Sequence, residues 1–294
     1  MKQLTVTFAI FCVAFLQAEW ISLSESQSDE KFRTLRQTEN ELSIQFGLDG
    51  FEYEKISADS NEFFRLSCPL PNSGTTLEIG KPQLPVFSTF IILPDGMDAK
   101  VELEDPEYQT FENFTIYPSQ HLPTEKEQEI LPFVIDEKTY SKNSFYPEKT
   151  VQLGETITFR GLRMVQITLK PFRTNPKTSV LHILSSASIR VQFEKSSQSA
   201  KSANSPKSLA FENIYKSIGM NYETIPARNE NYQNPCYLFI LPSSLSESDI
   251  EPLVEWKKEK GFEVHVANMS QIGSSENQIR QYVSDAYFGW ENPP

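Results

Sequence analysis

Met164-Val165-Gln166-Ile167-Thr168-Leu169 sets Val165, Ile167 and Leu169 in alternation with Met164, Gln166 and Thr168. Successive side chains of a strand point to opposite faces, so a period of two marks a half-buried β-strand. The same period returns further along the chain, where Ile189, Val191 and Phe193 alternate with Arg190, Gln192 and Glu194. Shorter runs lie at Phe87–Leu93 and Lys100–Glu104. Each run is bounded by Pro, Gly, Asn or Asp, which end a ladder by removing a donor or by accepting positive φ. The chain holds 19 Pro against 11 Gly, a balance that suits many short strands and few long helices. No helical period competes up to about Glu194, so residues 19–195 are predicted to form an all-β, sandwich-like domain. Residues from about Lys31 to Ser60 are polar and mixed and read as a single strand or arm at its start.

Beyond this domain the composition breaks. Lys195–Ser208 is almost wholly Ser, Lys, Gln, Asn and Ala, with too little apolar surface to offset the entropy of ordering it. Leu209–Tyr222 spaces Leu209, Phe211, Ile214, Tyr215 and Ile218 as a short amphipathic helix, and Glu223–Pro235 is irregular again. Residues 196–235 therefore read as a linker. Tyr237-Leu238-Phe239-Ile240-Leu241 is a continuous apolar run, the pattern of a strand buried on both faces of a parallel sheet. A helix follows, with Ser248 as N-cap, Glu251 as its capping-box partner, and Ile250, Leu253 and Val254 as the buried stripe. Gly261 closes this helix, Phe262–Val266 is the next strand, and Ser275 with Gln278 caps a second helix. Residues 236–294 thus open an α/β domain in the order β-α-β-α. Two strands and two helices cover little of a parallel sheet, so this part is expected to be the beginning of a longer α/β domain.

The 294 residues suffice for about two domains of ordinary size. With 27 basic against 39 acidic side chains the net charge is -12, which argues against nucleic-acid binding, a task that needs clustered Lys and Arg. Lys2 precedes an apolar run from Leu4 to Leu16, followed by Gln17-Ala18-Glu19. That run is too short to span a bilayer and has the form of a secretory signal peptide, residues 1–18, cut near Ala18. Leu16, at the -3 position, is larger than the small residue favoured there, so the cut is placed only approximately. Secretion or display at the cell surface follows, with no further membrane span. The mature chain keeps Cys68 and Cys236, in different predicted domains, which permit one disulfide but do not call for it.

Catalytic chemistry is not legible. His121 lies in a Pro-flanked loop, and His182 and His265 lie in strand patterns. Cys68 precedes Pro69, Cys236 precedes the buried run, and neither has a histidine at ligand spacing. Gly-rich phosphate loops, His-Glu-x-x-His and Gly-x-Ser-x-Gly are all missing, and no catalytic, cofactor or metal residue is assigned. Glu102–Glu107 and Glu125–Glu129 read as solvated faces, and the triplets at Asn113 and Asn268 matter only in a glycosylating secretory route. Arg228 differs from these. It stands in an irregular polar stretch between two predicted domains, where exposed chain is readily cut, so it reads either as a processing site or as a plain solvated side chain.

Gly80-Lys81-Pro82-Gln83-Leu84-Pro85-Val86-Phe87 followed by Ile91-Ile92-Leu93-Pro94 resembles the propeptide of gingipain-type cysteine peptidases, family C25 of clan CD. Tyr117-Pro118-Ser119-Gln120, Phe145-Tyr146-Pro147, Arg160-Gly161-Leu162-Arg163 and Pro171-Phe172-Arg173-Thr174-Asn175-Pro176 continue the resemblance in order. Tyr237–Ile240, Leu253–Lys258, Lys260-Gly261-Phe262 and Ile279–Pro294 resemble the start of the catalytic domain. The resemblance implies a secreted zymogen whose β-rich propeptide inhibits and assists the folding of its own caspase-like peptidase domain. It implies a Cys nucleophile and a His base beyond residue 294, no cofactor, and protein substrates reached only through that missing domain. Neither His265 nor Cys236 matches the family's catalytic pair, so this chain alone is expected to be inactive. The resemblance also makes the basic residue at the propeptide boundary a processing site, here Arg228, and has a basic propeptide residue block the active site; no motif places that residue, and Lys126, after Tyr117-Pro118-Ser119-Gln120, is a candidate by position alone. The competing reading is a stand-alone secreted β-sandwich module that binds partners or inhibits proteases in trans.

Overall fold

The computed structural model describes residues 18–24, 31–68, 73–122, 131–159, 162–196, 207–222 and 232–294. The chain divides into two units, Met1–Ile157 with Met164–Ser197, and Thr158–Arg163 with Gln198–Pro294.

The first unit is built from antiparallel strands: β1 (Glu19–Ser22), β2 (Phe32–Gln37), β3 (Glu41–Gly47), β4 (Gly50–Ala58), β5 (Asn61–Ser67) and β6 (Ser73–Thr75). These are followed by β7 (Pro85–Ile92), β8 (Met97–Phe111), the single-turn α1 (Glu137–Ser141), β9 (Val151–Phe159), β10 (Leu162–Leu169), β11 (Phe172–Asn175) and β12 (Val180–Lys195). They form three sheets, in the orders β1-β4-β5, β6-β7-β10-β9 and β11-β12-β3-β2, with β8 on the other side of β12. The run that signalled the fold is β10, which pairs with β7 from Met164↔Ile92 to Leu169↔Phe87 and buries Val165, Ile167 and Leu169.

Phenylalanines join the sheets. Phe46 of β3 meets Phe87 of β7 at 5.9 Å and Phe32 of β2 at 5.6 Å, so the five-stranded and four-stranded sheets share one core. Phe51 of β4 meets Phe172 of β11 at 5.5 Å and Phe111 of β8 at 5.8 Å, which brings in the three-stranded sheet. The sandwich expected from the periodicity is present, with a third sheet at its side. Lys31–Ser60, read as one strand or arm, instead supplies β2, β3 and β4. Its polar average hides the buried series Leu42, Ile44 and Phe46, which alternates with Ser43 and Gln45. In β8 the register against β12 slips around Asp105-Pro106, with Asp105 at φ +46. Proline has no N–H to give a ladder, and a bulge is where a strand tolerates it.

The second unit contains β13 (Lys207–Ser208), α2 (Leu209–Ile218), β14 (Tyr232–Gln233), β15 (Cys236–Leu241), α3 (Glu251–Glu259), β16 (Glu263–Asn268), α4 (Met269–Ile272) and α5 (Glu276–Gly289). β15 and β16 run parallel from Cys236↔Glu263 to Leu241↔Asn268, with α3 as the crossover between them. The cap before α3 is Ser246, not Ser248. A 3-10 turn at Glu247–Ile250 comes first, and the Asp249 carboxylate accepts from the Ser246 N–H at 2.8 Å and its hydroxyl at 2.7 Å. Pro252 lies in the first turn of α3, where a missing N–H costs nothing. At the other end Gly261 takes φ +86, its N–H donates to Lys258 O and that of Phe262 to Lys257 O, a Schellman closure that favours glycine. Val254 is buried, but Leu253 is 42% exposed, because a sheet of two strands is narrower than the apolar stripe of the helix. Ser275 and Gln278 cap α5 as the sequence indicated. The one-turn α4, with Asn268 as its cap, is too short to show a period.

Phe46 is fully buried against two rings, so Phe46→Ala is predicted to cost the first unit about 3–5 kcal/mol. Urea unfolding followed by near-ultraviolet circular dichroism measures this, and a loss below about 1 kcal/mol contradicts the shared core.

Candidate functional site: the base of the 121–133 loop and its supporting frame

Residues 115–119 thread between β5 and the Gly80–Gln83 segment. Phe64 N–H donates to Thr115 O at 2.8 Å and Tyr117 N–H to Phe64 O at 2.9 Å on one side. On the other side Gln83 N–H donates to Tyr117 O, Ser119 N–H to Lys81 O and Gly80 N–H to Ser119 O, each at 2.8 Å. Gly80 also accepts from Asp136 N–H at 2.9 Å, so this one residue joins the chain entering the loop to the chain leaving it. It sits at φ +78, and a Cβ there would lie 2.9 Å from Asp136 N, so both conformation and space require glycine.

Gln120 closes the loop. Its Nε2 donates to Val134 O at 2.7 Å and its Oε1 accepts from Val134 N–H at 2.9 Å, while Nε2 also reaches Pro118 O and Ser119 O. Phe133 packs against Phe63 and Tyr117, each at 5.8 Å, and the Arg65 guanidinium lies 4.7 Å over Tyr117. Just past the loop Asp136 caps α1. The Thr139 hydroxyl, which donates to Asp136 Oδ2 at 2.8 Å, holds the carboxyl below its usual range, helped by backbone N–H groups of the same turn. Tyr140 OH donates to Ile116 O at 2.6 Å, tying α1 back to the threaded segment.

A second pair of segments supports this base. Tyr146 and Thr174 exchange two backbone hydrogen bonds of 2.8 Å. Arg173 donates to Pro147 O and Glu148 O and lies 5.6 Å over the Phe145 ring. Asn175 Nδ2 donates to Asn143 Oδ1 at 2.8 Å. Tyr146 OH then donates to Glu78 at 2.9 Å, and Glu78 also pairs with Lys81. The Lys81 contact lowers the Glu78 carboxyl, while burial and the Glu78 bond raise the Tyr146 phenol. The Gly80, Tyr117, Phe145 and Pro171 motifs are thus parts of one hydrogen-bonded frame, and their chemistry is mechanical.

The groups set aside as catalytic stay apart from each other in character. Cys68 is a buried free thiol that burial pushes up to about 12, so at neutral pH it is protonated and a poor nucleophile. Cys236 is half-buried at the first position of β15 and forms no disulfide. His121 is exposed beside the loop base. His265 pairs with Glu263 at 2.9 Å and lies 4.4 Å from the Trp290 ring. His182 stacks on Phe145 at 4.2 Å, and burial followed by the Arg173 charge holds it below its ordinary value of 6.5. Ala18 is exposed, one residue ahead of β1. Arg228 and Lys126 lie outside the described residues. Among the described residues no group of three or more His, Cys, Asp and Glu is placed to hold a metal, and no helix is long and apolar enough to cross a membrane. The clasp made by Gln120 was missed in the sequence. Its signal was present in the Tyr117–Gln120 motif, but nothing local shows that a glutamine will span to Val134.

The sequence model described as Propeptide_C25 matches residues 24–228. The chain belongs to the C25 propeptide family. It is 29% identical to gingipain R1 of Porphyromonas gingivalis over 264 residues, 87% of this chain and 26% of that protein. It is 26% identical to gingipain R2 of strain W83 over 276 residues, 90% of this chain and 36% of that protein. With Lys-gingipain of the same species it shares 22% identity over 258 residues, 84% of this chain and 15% of that one. The chain therefore spans only about a quarter of the gingipain R1 it matches, 26% by length. Among solved structures, the complex of P. gingivalis RgpB pro- and mature domains contains a chain matched at TM-score 0.57 and 22% identity, over 66% of this chain and 97% of that one. A structure describing the zymogenic latency of gingipain K matches at TM-score 0.53 and 21% identity, over 61% of this chain and all of that one, 100%. These likenesses establish that the β-rich fold is that of gingipain pro-domains.

Two outcomes are expected. Gln120→Leu leaves both backbone groups of Val134 without their side-chain partner, and should cost about 1–3 kcal/mol and make residues 121–133 more sensitive to limited proteolysis. A variant cut no faster than the parent contradicts the clasp. For His182, the unfolded chain takes up a proton near 6.5 and the folded chain only at lower pH, so stability falls as pH drops below about 6.5. His182→Gln should flatten that part of the profile of urea midpoint against pH, and an unchanged slope contradicts it.

Proposed function

We propose that this chain is the amino-terminal part of a secreted gingipain-like cysteine endopeptidase zymogen. In this reading residues 1–18 are the signal peptide, cut near Ala18, and residues 19–195 are the inhibitory propeptide domain. Residues 196–235 are the linker and processing segment, with the cut at Arg228, and residues 236–294 begin a caspase-like peptidase domain. The Cys nucleophile and His base are supplied by sequence beyond residue 294, so the chain by itself hydrolyses nothing.

The observation that carries the reading is the doubly anchored loop base in a member of this propeptide family. Gly80 and Gln120 fix the entry at Ser119-Gln120 and the exit at Val134–Asp136. A loop whose ends are already held loses less entropy on entering a cleft than a free peptide does, which favours inhibition over substrate-like turnover. Lys126 lies between those ends in sequence, and a basic side chain there would occupy the pocket that receives a substrate's side chain. The parallel β15-α3-β16 unit supports a peptidase domain of α/β type, and the family match ending at residue 228 supports a boundary at Arg228.

Amino-terminal sequencing of the peptidase product secreted by the source organism tests the assignment. The product is expected to begin at Asn229, and Arg228→Ala is expected to accumulate uncut precursor. A product beginning elsewhere, unaltered cutting of Arg228→Ala, or iodoacetamide-sensitive peptide hydrolysis by the 294-residue chain alone overturns it.

A further inference from the structure

β9 ends the order β6-β7-β10-β9, so one side of this nine-residue strand has no ladder partner among the described residues. The other edges of the first unit are guarded. β1, β6 and β11 have only four, three and four residues, and β11 is bridged by Tyr146 at Thr174. β5 is covered at Phe64 by Thr115 and Tyr117. β2 carries Arg33 and Arg36 and slips in register between Thr34 and Arg36, and β8 slips around Asp105-Pro106. Proteins protect open edges by such shortening, bulging, charge and cover, because an open ladder pairs with other chains. β9 has no proline and no cation, and its one charge is Glu155.

The bonding side of each residue of β9 follows from its register. Lys170 N–H donates to Thr150 O at 2.7 Å, and a Cβ at Gly154 would lie 3.6 Å from Gln166 Cβ, so β9 and β10 keep one register from Thr150 to Gly154. Alternate residues of an antiparallel strand bond to alternate sides. Gln152, Gly154 and Thr156 therefore bond to β10, while Val151, Leu153, Glu155 and Ile157 turn their N–H and C=O outward. The side chains of these four lie on the face of Val165, Ile167 and Leu169, which are buried. Val151 and Leu153 are only half-buried and Ile157 is 44% exposed, because no further strand flanks them.

We propose that the outer edge of β9, residues 151–157, pairs antiparallel with the same edge of a second copy of this chain, joining two four-stranded sheets into one. A two-fold axis at Gly154 makes the edge self-complementary. Val151 then lies opposite Ile157 of the second copy and Leu153 opposite its Glu155, and each such pair exchanges two backbone hydrogen bonds. The apolar rows of both copies continue along one face of the joined sheet. An axis at Glu155 would set two carboxylates directly opposite, which disfavours that register. An edge this short makes a small interface, so the dissociation constant is expected to be on the order of 10 μM. This pairing needs neither Arg228 nor a peptidase domain.

Sedimentation velocity on the full 294-residue chain, over about 1–100 μM, tests the pairing. The parent is expected to pass from monomer to dimer in that range. Ile157→Lys, which places a cation on the edge, is expected to dimerise about tenfold more weakly. A second variant reads the register. Residues opposed without hydrogen bonds stand about 4.5 Å apart at Cα, within reach of a disulfide, and a side chain at Gly154 meets only ordinary contacts. Gly154→Cys is therefore expected to give a covalent dimer on mild oxidation, and Gln152→Cys, which lies opposite Thr156 of the second copy, to give no more than the parent. Each variant must keep the parent's thermal transition, and either of Ile157→Lys and Gly154→Cys decides the matter if the other misfolds. A parent that stays monomeric to about 100 μM, an Ile157→Lys chain that dimerises as tightly as the parent, or equal cross-linking through 152 and 154 overturns the pairing.

Discussion

The backbone of Gly80 is the constraint that joins Ser119 to Asp136. Its N–H donates to Ser119 O, its carbonyl accepts from Asp136 N–H, and its φ of +78 makes both possible at once. A side chain at this position would meet Asp136 N at 2.9 Å and push the two ends apart. Gln120 adds a clasp of the same kind with its side chain, and Phe133 seals the base against Phe63 and Tyr117. A single hydrogen bond is worth only about 1 kcal/mol net, so no one of these bonds fixes the loop. Together they hold residues 119–120 against 134–136, and in the proposed zymogen preorganisation of that sort shows up as affinity.

The segment that carries the loop base and the segment at 207–222 differ in strength. The loop base sits on strands of three to sixteen residues joined by fully buried phenylalanines, the part of a protein that opens only on global unfolding. Residues 207–222 hold one helix of ten residues and one strand of two, paired with a second strand of two at Tyr232–Gln233, the kind of element that opens locally.

Much of the fold was legible in the sequence because its signal is periodic. The alternation in Met164–Leu169 and in Ile189–Glu194 corresponds to β10 and β12, and the continuous run Tyr237–Leu241 corresponds to β15 in a parallel pair. Short or composite elements escaped. β2, β3 and β4 were averaged away because their polar residues, Ser43 and Gln45 among them, balance Leu42, Ile44 and Phe46, and the cap at Ser246 was displaced by a 3-10 turn that shares the same Ser-rich sequence. The loop base was legible only as a set of family motifs. That the Gly80 and Tyr117 motifs lie side by side, with the Phe145 and Pro171 motifs bridged behind them through Glu78 and Tyr146, is long-range pairing that no local pattern encodes.

A propeptide and a free-standing inhibitor module would use the same β-rich unit, and what separates them is whether a peptidase is joined to it. The most direct measurement is the coding DNA that follows the codon for Pro294. The zymogen account predicts an open frame that continues into a hydrophobic strand and later supplies a His and a Cys for the peptidase site. A stop codon directly after Pro294, with the 294-residue product secreted intact, would contradict it and leave binding or inhibition in trans as the activity of the β-rich unit.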